Sequence, residues 1–276
     1  MSPAESRFVG HNPRLHYLEW NPERSRTLVL MHGNTAIARW WEPVVAALGA
    51  EFRVLALDSR GHGQSDWVRP PAYHPQDYAG DLAALLEACA APAPIVVGHS
   101  MGGLCALAFA ELFPGRARGL VIVDAALSSS DVRDRFLRRL RSLPVVTYPD
   151  LATAKARFRL MPSEGEIAPA LLASIAEQSL APTADGRWTL RFDRESFFGG
   201  DGLDALATIA RLRVPTLLVR GERSRIMTAA AAAHAVESNP LVELQTIPRA
   251  HHHVLLEQPE SLAREIAAFA SRCLPQ

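Results

Sequence analysis

A serine hydroxyl becomes a useful nucleophile only beside a base, and one serine of this chain sits in a setting suited to that chemistry. Ser100 is the centre of Gly98-His99-Ser100-Met101-Gly102. The apolar, β-branched run Ile95-Val96-Val97 precedes it, and the helix-forming run from Leu104 to Ala110 follows. That order predicts a strand, a sharp turn and a helix, the arrangement of a nucleophile elbow. So tight a turn strains the serine backbone, and a side chain at Gly98 or Gly102 would collide with strand or helix. A second group of reactive side chains, His251, His252 and His253, follows the strand-like run from Val242 to Ile247 and precedes a helical pattern. The histidines are therefore expected on a loop at the strand ends. Neighbours along an extended loop point in different directions, and no Asp, Glu or His of ligand spacing accompanies them. The triplet reads as the source of a general base rather than a metal site.

The elements that carry these groups follow a simple rhythm. Arg7 to Trp20 is expected as a two-strand hairpin around Asn12-Pro13. Strand-like runs then recur at Thr27 to Met31, Arg53 to Leu57, Ile95 to Val97, Leu120 to Val123, Val214 to Val219 and Val242 to Ile247, with helical patterns between them. This alternation predicts an α/β fold, a doubly wound and mostly parallel sheet. Continuous hydrophobicity in the middle strands predicts helices on both faces. The rhythm breaks between about Leu127 and Asp204, which predicts a helical cap at 127–204 on a core of 1–126 and 205–276. Ligands of open α/β sheets bind at the carboxyl ends of the strands, so such a cap would roof the site. Asp131 to Leu143 places Phe136, Leu137, Leu140 and Leu143 on one helical face and Arg133, Arg135, Arg138, Arg139 and Arg141 elsewhere, the pattern of a solvated amphipathic helix, with attraction of an anionic substrate by the five arginines as the alternative. Phe136, Phe158, Trp188, Phe197 and Phe198 are candidates to line a pocket, with core packing the alternative for each.

Composition narrows the function classes. The 276 residues are 48% hydrophobic, with Lys+Arg and Asp+Glu both at 29, and the mean hydropathy is +0.02. No global charge argues for nucleic acid or a membrane surface, and no stretch is long enough to span a bilayer. The N-terminal segment lacks the apolar core of a signal peptide. Cys89, Cys105 and Cys273 are an odd number at wide spacing. Free thiols in a reducing compartment, the cytoplasm, are expected.

Three stretches resemble the α/β-hydrolase family, and the resemblance covers nearly the whole chain outside the insertion. Met31-His32-Gly33-Asn34-Thr35 resembles the family's oxyanion turn. By that resemblance the backbone N–H groups of Asn34 and Met101 form the oxyanion hole and Trp41 packs the next helix onto the sheet; Trp40 is not a position the resemblance explains and is a candidate either for substrate contact or for core packing. His32 is expected to be structural. Asp58-Ser59-Arg60-Gly61-His62-Gly63-Gln64-Ser65-Asp66 resembles a family loop whose role is turn geometry, so His62 and Asp66 are expected to be structural too. The family's catalytic histidine stands five positions before a Glu-x-Pro segment, which implies His252 ahead of Glu257-Gln258-Pro259, with His251 where a glycine is usual. His-Gly-Asn is also similar to haloalkane dehalogenases, but those use an aspartate nucleophile where this chain has Ser100.

The acid is where the chain departs from the family. The usual Gly-x-x-Asp after the strand ending near Val219 reads Gly221-Glu222-Arg223-Ser224 here. A small-esterase subset pairs an aspartate after the preceding strand with a serine at the usual place. That implies Asp124 as acid and Ser224 as a fourth, hydrogen-bonding member, with Glu222 the rival. The expected activity is hydrolysis of a small-molecule carboxylic ester or thioester through an acyl-enzyme, without metal or organic cofactor. C–C bond hydrolysis, lactone opening and a hydrolase-fold ligand sensor remain open on the same residues.

Overall fold

A computed structural model describes residues 3–197 and 203–275. Its strands are β1 (Glu5–Val9), β2 (Leu15–Trp20), β3 (Thr27–Met31), β4 (Arg53–Leu57), β5 (Ile95–His99), β6 (Gly119–Val123), β7 (Leu180–Pro182), β8 (Trp188–Leu190), β9 (Thr216–Gly221) and β10 (Val242–Ile247). Its α-helices are α1 (Glu42–Leu48), α2 (Pro75–Ala88), α3 (Met101–Leu112), α4 (Asp131–Ser142), α5 (Leu151–Arg157), α6 (Pro169–Gln178), α7 (Ala205–Arg211), α8 (Ala229–Ser238), α9 (Val254–Glu257) and α10 (Pro259–Cys273). Eight strands form one sheet in the order β1-β2-β4-β3-β5-β6-β9-β10. β1 and β2 are the expected hairpin; β2 is antiparallel to both neighbours, and the remaining pairs are parallel.

The sheet divides the core in two because successive side chains point to opposite faces. Leu28 and Leu30 of β3 join Trp41, Val44, Phe52, Ile266 and Phe269 in one layer, beneath α1 and α10. Val29 and Met31 join Leu82, Leu85, Phe109 and Ile209 in the other, beneath α2, α3 and α7. Trp41 is fully buried, as expected for a residue that packs the helix after β3. Every residue of β3, β5 and β6 is buried, the consequence of helices on both faces. Chain order reverses between β3 and β5, where the crevice at the strand ends opens.

After β6 the chain leaves the sheet. Residues 127–204 contribute α4, α5, α6, the short β7–β8 hairpin and a 3-10 turn at Arg194–Ser196, and neither hairpin strand joins the large sheet. The end of this segment is pinned to the loop after β4. Asp193 N–H donates to Gly61 O at 2.7 Å, Gly63 N–H to Arg191 O at 2.8 Å, and Tyr73 Oη to Asp193 Oδ2 at 2.6 Å. Within α4 only Asp134 is buried. The apolar face of α4 does not close a core of its own: Phe136 is half exposed, and with Leu137 it faces an open cavity. Arg135, Arg138 and Arg139 are exposed, as a solvated helix face requires. Among the described residues no helix is long and apolar enough to cross a membrane.

Candidate active site

Four adjacent strand tips build the site. Past the end of β5, Ser100 N–H donates to Val123 O of β6 at 2.9 Å; past β6, Asp124 N–H donates to Val219 O of β9 at 2.8 Å; past β9, Glu222 N–H donates to Ile247 O of β10 at 2.9 Å. Each tip is thus held in register by the next. Ser100 caps α3 with φ 53° and ψ −115°, and Asp124 has φ 45°. Left-handed backbone at non-glycine residues is uncommon and costs energy, and here it falls on both functional candidates. Thr35, beside Asn34, shares it at φ 62°. Space forces the elbow's composition. A Cβ on Gly98 would stand 2.2 Å from Gly102 O, and one on Gly102 would stand 2.3 Å from Met31 O.

Asp124 is completely buried and surrounded by donors. Gly221 N–H reaches its Oδ2 at 2.7 Å, and Ser224 Oγ donates to its Oδ1 at 2.5 Å. Met227 N–H approaches Oδ1 at 3.4 Å, and His252 Nδ1 at 3.2 Å. An ionised carboxylate only accepts, so it is the form these neighbours fit. Ser224 is itself fixed by Ile226 N–H, which donates to its Oγ at 3.0 Å. With Nδ1–H directed at Asp124, the neutral His252 ring keeps its lone pair on Nε2. Glu222 is exposed, and its Oε2 accepts from Arg249 N–H at 2.8 Å, so the structure brings Asp124 to His252 and leaves Glu222 outside.

The histidine loop is held from several sides. Glu257 Oε2 accepts from His251 N–H at 2.8 Å, and its Oε1 accepts from His253 N–H at 3.1 Å. From the elbow, His99 Nε2–H donates to His252 O at 2.9 Å. From the inserted segment, Pro162 O accepts from His253 Nε2–H at 3.1 Å. Burial holds His99 well below the ordinary histidine range and pushes His253 down to about 3, with neighbouring His252 adding to both. These rings stay neutral beside the candidate base. The roles of His99, His253 and Glu257 escaped the sequence reading. The nearness of His99 to Ser100 and the Glu-x-Pro spacing were the available signals. Among the described residues no group of His, Cys, Asp or Glu is arranged to hold a metal ion.

Ser100, Met101, Asn34 and His252 all line one cavity of about 960 Å3. Met101 N–H is the first of α3 and has no carbonyl of its own helix to bond. The Asn34 side chain is turned to Thr35 N–H at 3.0 Å and His62 at 3.4 Å. His32 and His62 are buried, as structural residues of the turns. His32 Nε2 accepts from Ser59 N–H at 3.0 Å while its Nδ1–H reaches Gly33 O at 2.7 Å, and burial lowers its pKa. Asp66 Oδ2 accepts from Arg14 N–H at 2.9 Å. Phe136 and Phe197 line the cavity. Trp40 does not: it is buried, its Nε1–H donates to Ser179 Oγ at 2.9 Å, and it borders a smaller cavity of about 190 Å3 with Phe158 and Phe197. Its indole is spent on joining the helix after β3 to the inserted segment. Trp188 lies in β8, paired with Tyr148, in neither cavity's lining. Phe198 lies outside the described residues. Leu104, Leu127, Leu206, Ala210 and Ile226 also line the large cavity, and nothing in their local sequence sets them apart from core positions.

A mostly parallel eight-stranded sheet that presents a serine on a strand–turn–helix elbow, in one cavity with a strand-end histidine, defines a hydrolase fold. The alpha/beta hydrolase family matches residues 28–265, and the chain belongs to that family. It is similar to 2-(acetamidomethylene)succinate hydrolase of Mesorhizobium japonicum, 30% identical over 261 residues that cover 88% of this chain and 87% of the relative. It is also similar to an esterase of Mycobacterium tuberculosis, 28% identical over 262 residues, covering 89% and 82%. The crystal structure of E-2-(acetamidomethylene)succinate hydrolase superposes with a TM-score of 0.84 at 26% identity, covering 98% of this chain and 100% of that one. The protein is a hydrolase of this family.

Proposed function

We propose that the protein hydrolyses carboxylic esters or thioesters of small molecules through an acyl-enzyme on Ser100. The observation that carries this reading is the buried Ser224–Asp124–His252 chain, whose histidine opens into the cavity that Ser100 lines. In this reading His252 Nε2 takes the Ser100 proton as Oγ attacks the carbonyl carbon. The N–H groups of Asn34 and Met101 receive the charge that develops on the carbonyl oxygen. His252 returns the proton to the leaving alcohol or thiol, then activates water to release the acid. Asp124 holds the Nδ1–H tautomer and stabilises the imidazolium, and Ser224 fixes the carboxylate. Residues 127–204 act as the cap and 1–126 with 205–276 as the core; the cap's supply of Arg133, Phe136, Leu137, Met161 and Phe197 to the cavity wall supports that division. A cytoplasmic setting is part of the reading, supported by three free cysteines. The test is turnover of p-nitrophenyl acetate and butyrate, with an acyl-thioester and a dienone alongside. Turnover of either ester or of the thioester, abolished by Ser100→Ala, is the expected result. Cleavage of the dienone alone would replace the reading with C–C bond hydrolysis.

A further inference from the structure

We infer that this hydrolase selects esters with neutral, apolar acyl groups and turns away those that carry a carboxylate; the inference rests on the ester reading above. The wall of the large cavity is mainly hydrocarbon, with Met101, Leu104, Leu127, Leu137, Leu206 and Ile226 among its residues. Beyond Thr35, Met161 and Phe197, which border both spaces, lies the smaller cavity against Trp40 and Phe158. Arg159 and Arg194 also border that smaller cavity, their guanidinium groups donating to backbone carbonyls, so the apolar path for a lengthening acyl chain is the wall of the large cavity.

The charges at the wall point the same way. Arg133 is the one Lys or Arg among the described lining residues, and it is already engaged. Its Nη1–H donates to Ser128 O at 3.0 Å, and its Nε lies 3.4 Å from Asp134 Oδ1. Asp204, the other lining carboxylate, caps α7 by accepting from Ala207 N–H at 3.0 Å. Two carboxylates and one guanidinium thus stand among the described lining residues. The adjoining sequence Phe198-Gly199-Gly200-Asp201-Gly202 holds no basic residue. The remaining arginines of α4 do not line the cavity. A substrate carboxylate held in the large cavity would lose its water and find there only a guanidinium already engaged, and burial of an uncompensated charge is strongly disfavoured. The similar Mesorhizobium japonicum protein is named for a succinate, a dicarboxylate, so the two active sites are expected to differ in substrate charge.

The experiment compares kcat/KM for p-nitrophenyl acetate, butyrate, pentanoate and octanoate with that for the mono-p-nitrophenyl ester of succinic acid, a charged counterpart of pentanoate. The expected result is a rise of up to about fourfold per added methylene, with the succinyl ester at least about 100-fold below pentanoate. Asp134→Asn, which releases Arg133, is expected to narrow that gap about tenfold. Succinyl turnover equal to or above pentanoate, a series that falls beyond acetate, or an unaltered gap in Asp134→Asn would overturn the inference and leave the ester reading standing. No turnover of any member would overturn both.

Discussion

At the scale of single residues the decisive contrast is between two acids close together in space. Asp124 has no solvent exposure and gathers His252, Ser224 and two backbone donors, whereas Glu222 is exposed and bonded to the Arg249 backbone. Asp124→Asn is expected to lower kcat for an activated ester by about 10⁴-fold, because an amide at that point favours the wrong histidine tautomer. Glu222→Gln is expected to leave kcat within about twofold. Ser224→Ala removes one charge-assisted hydrogen bond worth about 1.5–3 kcal/mol and should cost about 10–100-fold, provided the other donors keep the carboxylate in place. Steady-state kinetics of the three variants on one ester checks all three. Near-normal kcat in Asp124→Asn together with loss in Glu222→Gln would reverse the assignment.

At the scale of elements, the elbow and the sheet were the legible part, because their causes are local. Ile95-Val96-Val97 declares a buried strand, and the collision of a Gly98 Cβ with Gly102 O follows from backbone geometry alone. The departure at Ser224 was readable for the same reason, since it is one substituted position in a short turn. Trp40 was not: an indole beside the oxyanion turn suits a pocket or a core equally, and only the distant Ser179 decides. The cavity wall from α7 was also illegible, because Leu206 and Ala210 look like any buried helix face until the segment before them is placed. The elbow's geometry gives a stability prediction. Gly98→Ala drives a methyl into backbone that cannot yield and should cost about 3 kcal/mol, the upper end for overpacking. Gly80→Ala, inside α2 with open space around the added Cβ, should instead stabilise by about 1 kcal/mol. Denaturant midpoints of the two variants separate steric demand from general intolerance of glycine replacement. His253→Phe keeps a ring beside Trp40 but removes the donor to Pro162 O, and is expected to lower kcat by about tenfold with little change in fold.

Across the whole molecule, buried neutral histidines tie stability to acid. Burial pushes His62 and His253 down to about 3, with His32 and His252 respectively adding to the shift. Their unfolded forms protonate near pH 6.5, so below that the unfolded chain binds more protons and folding weakens as pH falls toward 3. Above pH 6.5 both states are neutral at these sites and the term vanishes. Each such group approaches a cost of about 1.4 kcal/mol per pH unit in that window, so the pair costs about 4–5 kcal/mol between pH 6.5 and 4.5. That is comparable to the entire stability of an ordinary domain. The melting temperature should therefore hold from pH 8 to 7 and drop steeply below pH 6, less steeply in His62→Gln; an unchanged acid slope in that variant would remove His62 from the account. The central claim is that one serine carries the acyl group. A fluorophosphonate reaction followed by peptide mass mapping tests it most directly. The expected result is a single adduct on the peptide containing Ser100, absent in Ser100→Ala, with ester turnover in that variant reduced by about 10⁶-fold. An adduct on another residue, or a Ser100→Ala protein that hydrolyses esters within tenfold of the natural sequence, would contradict it.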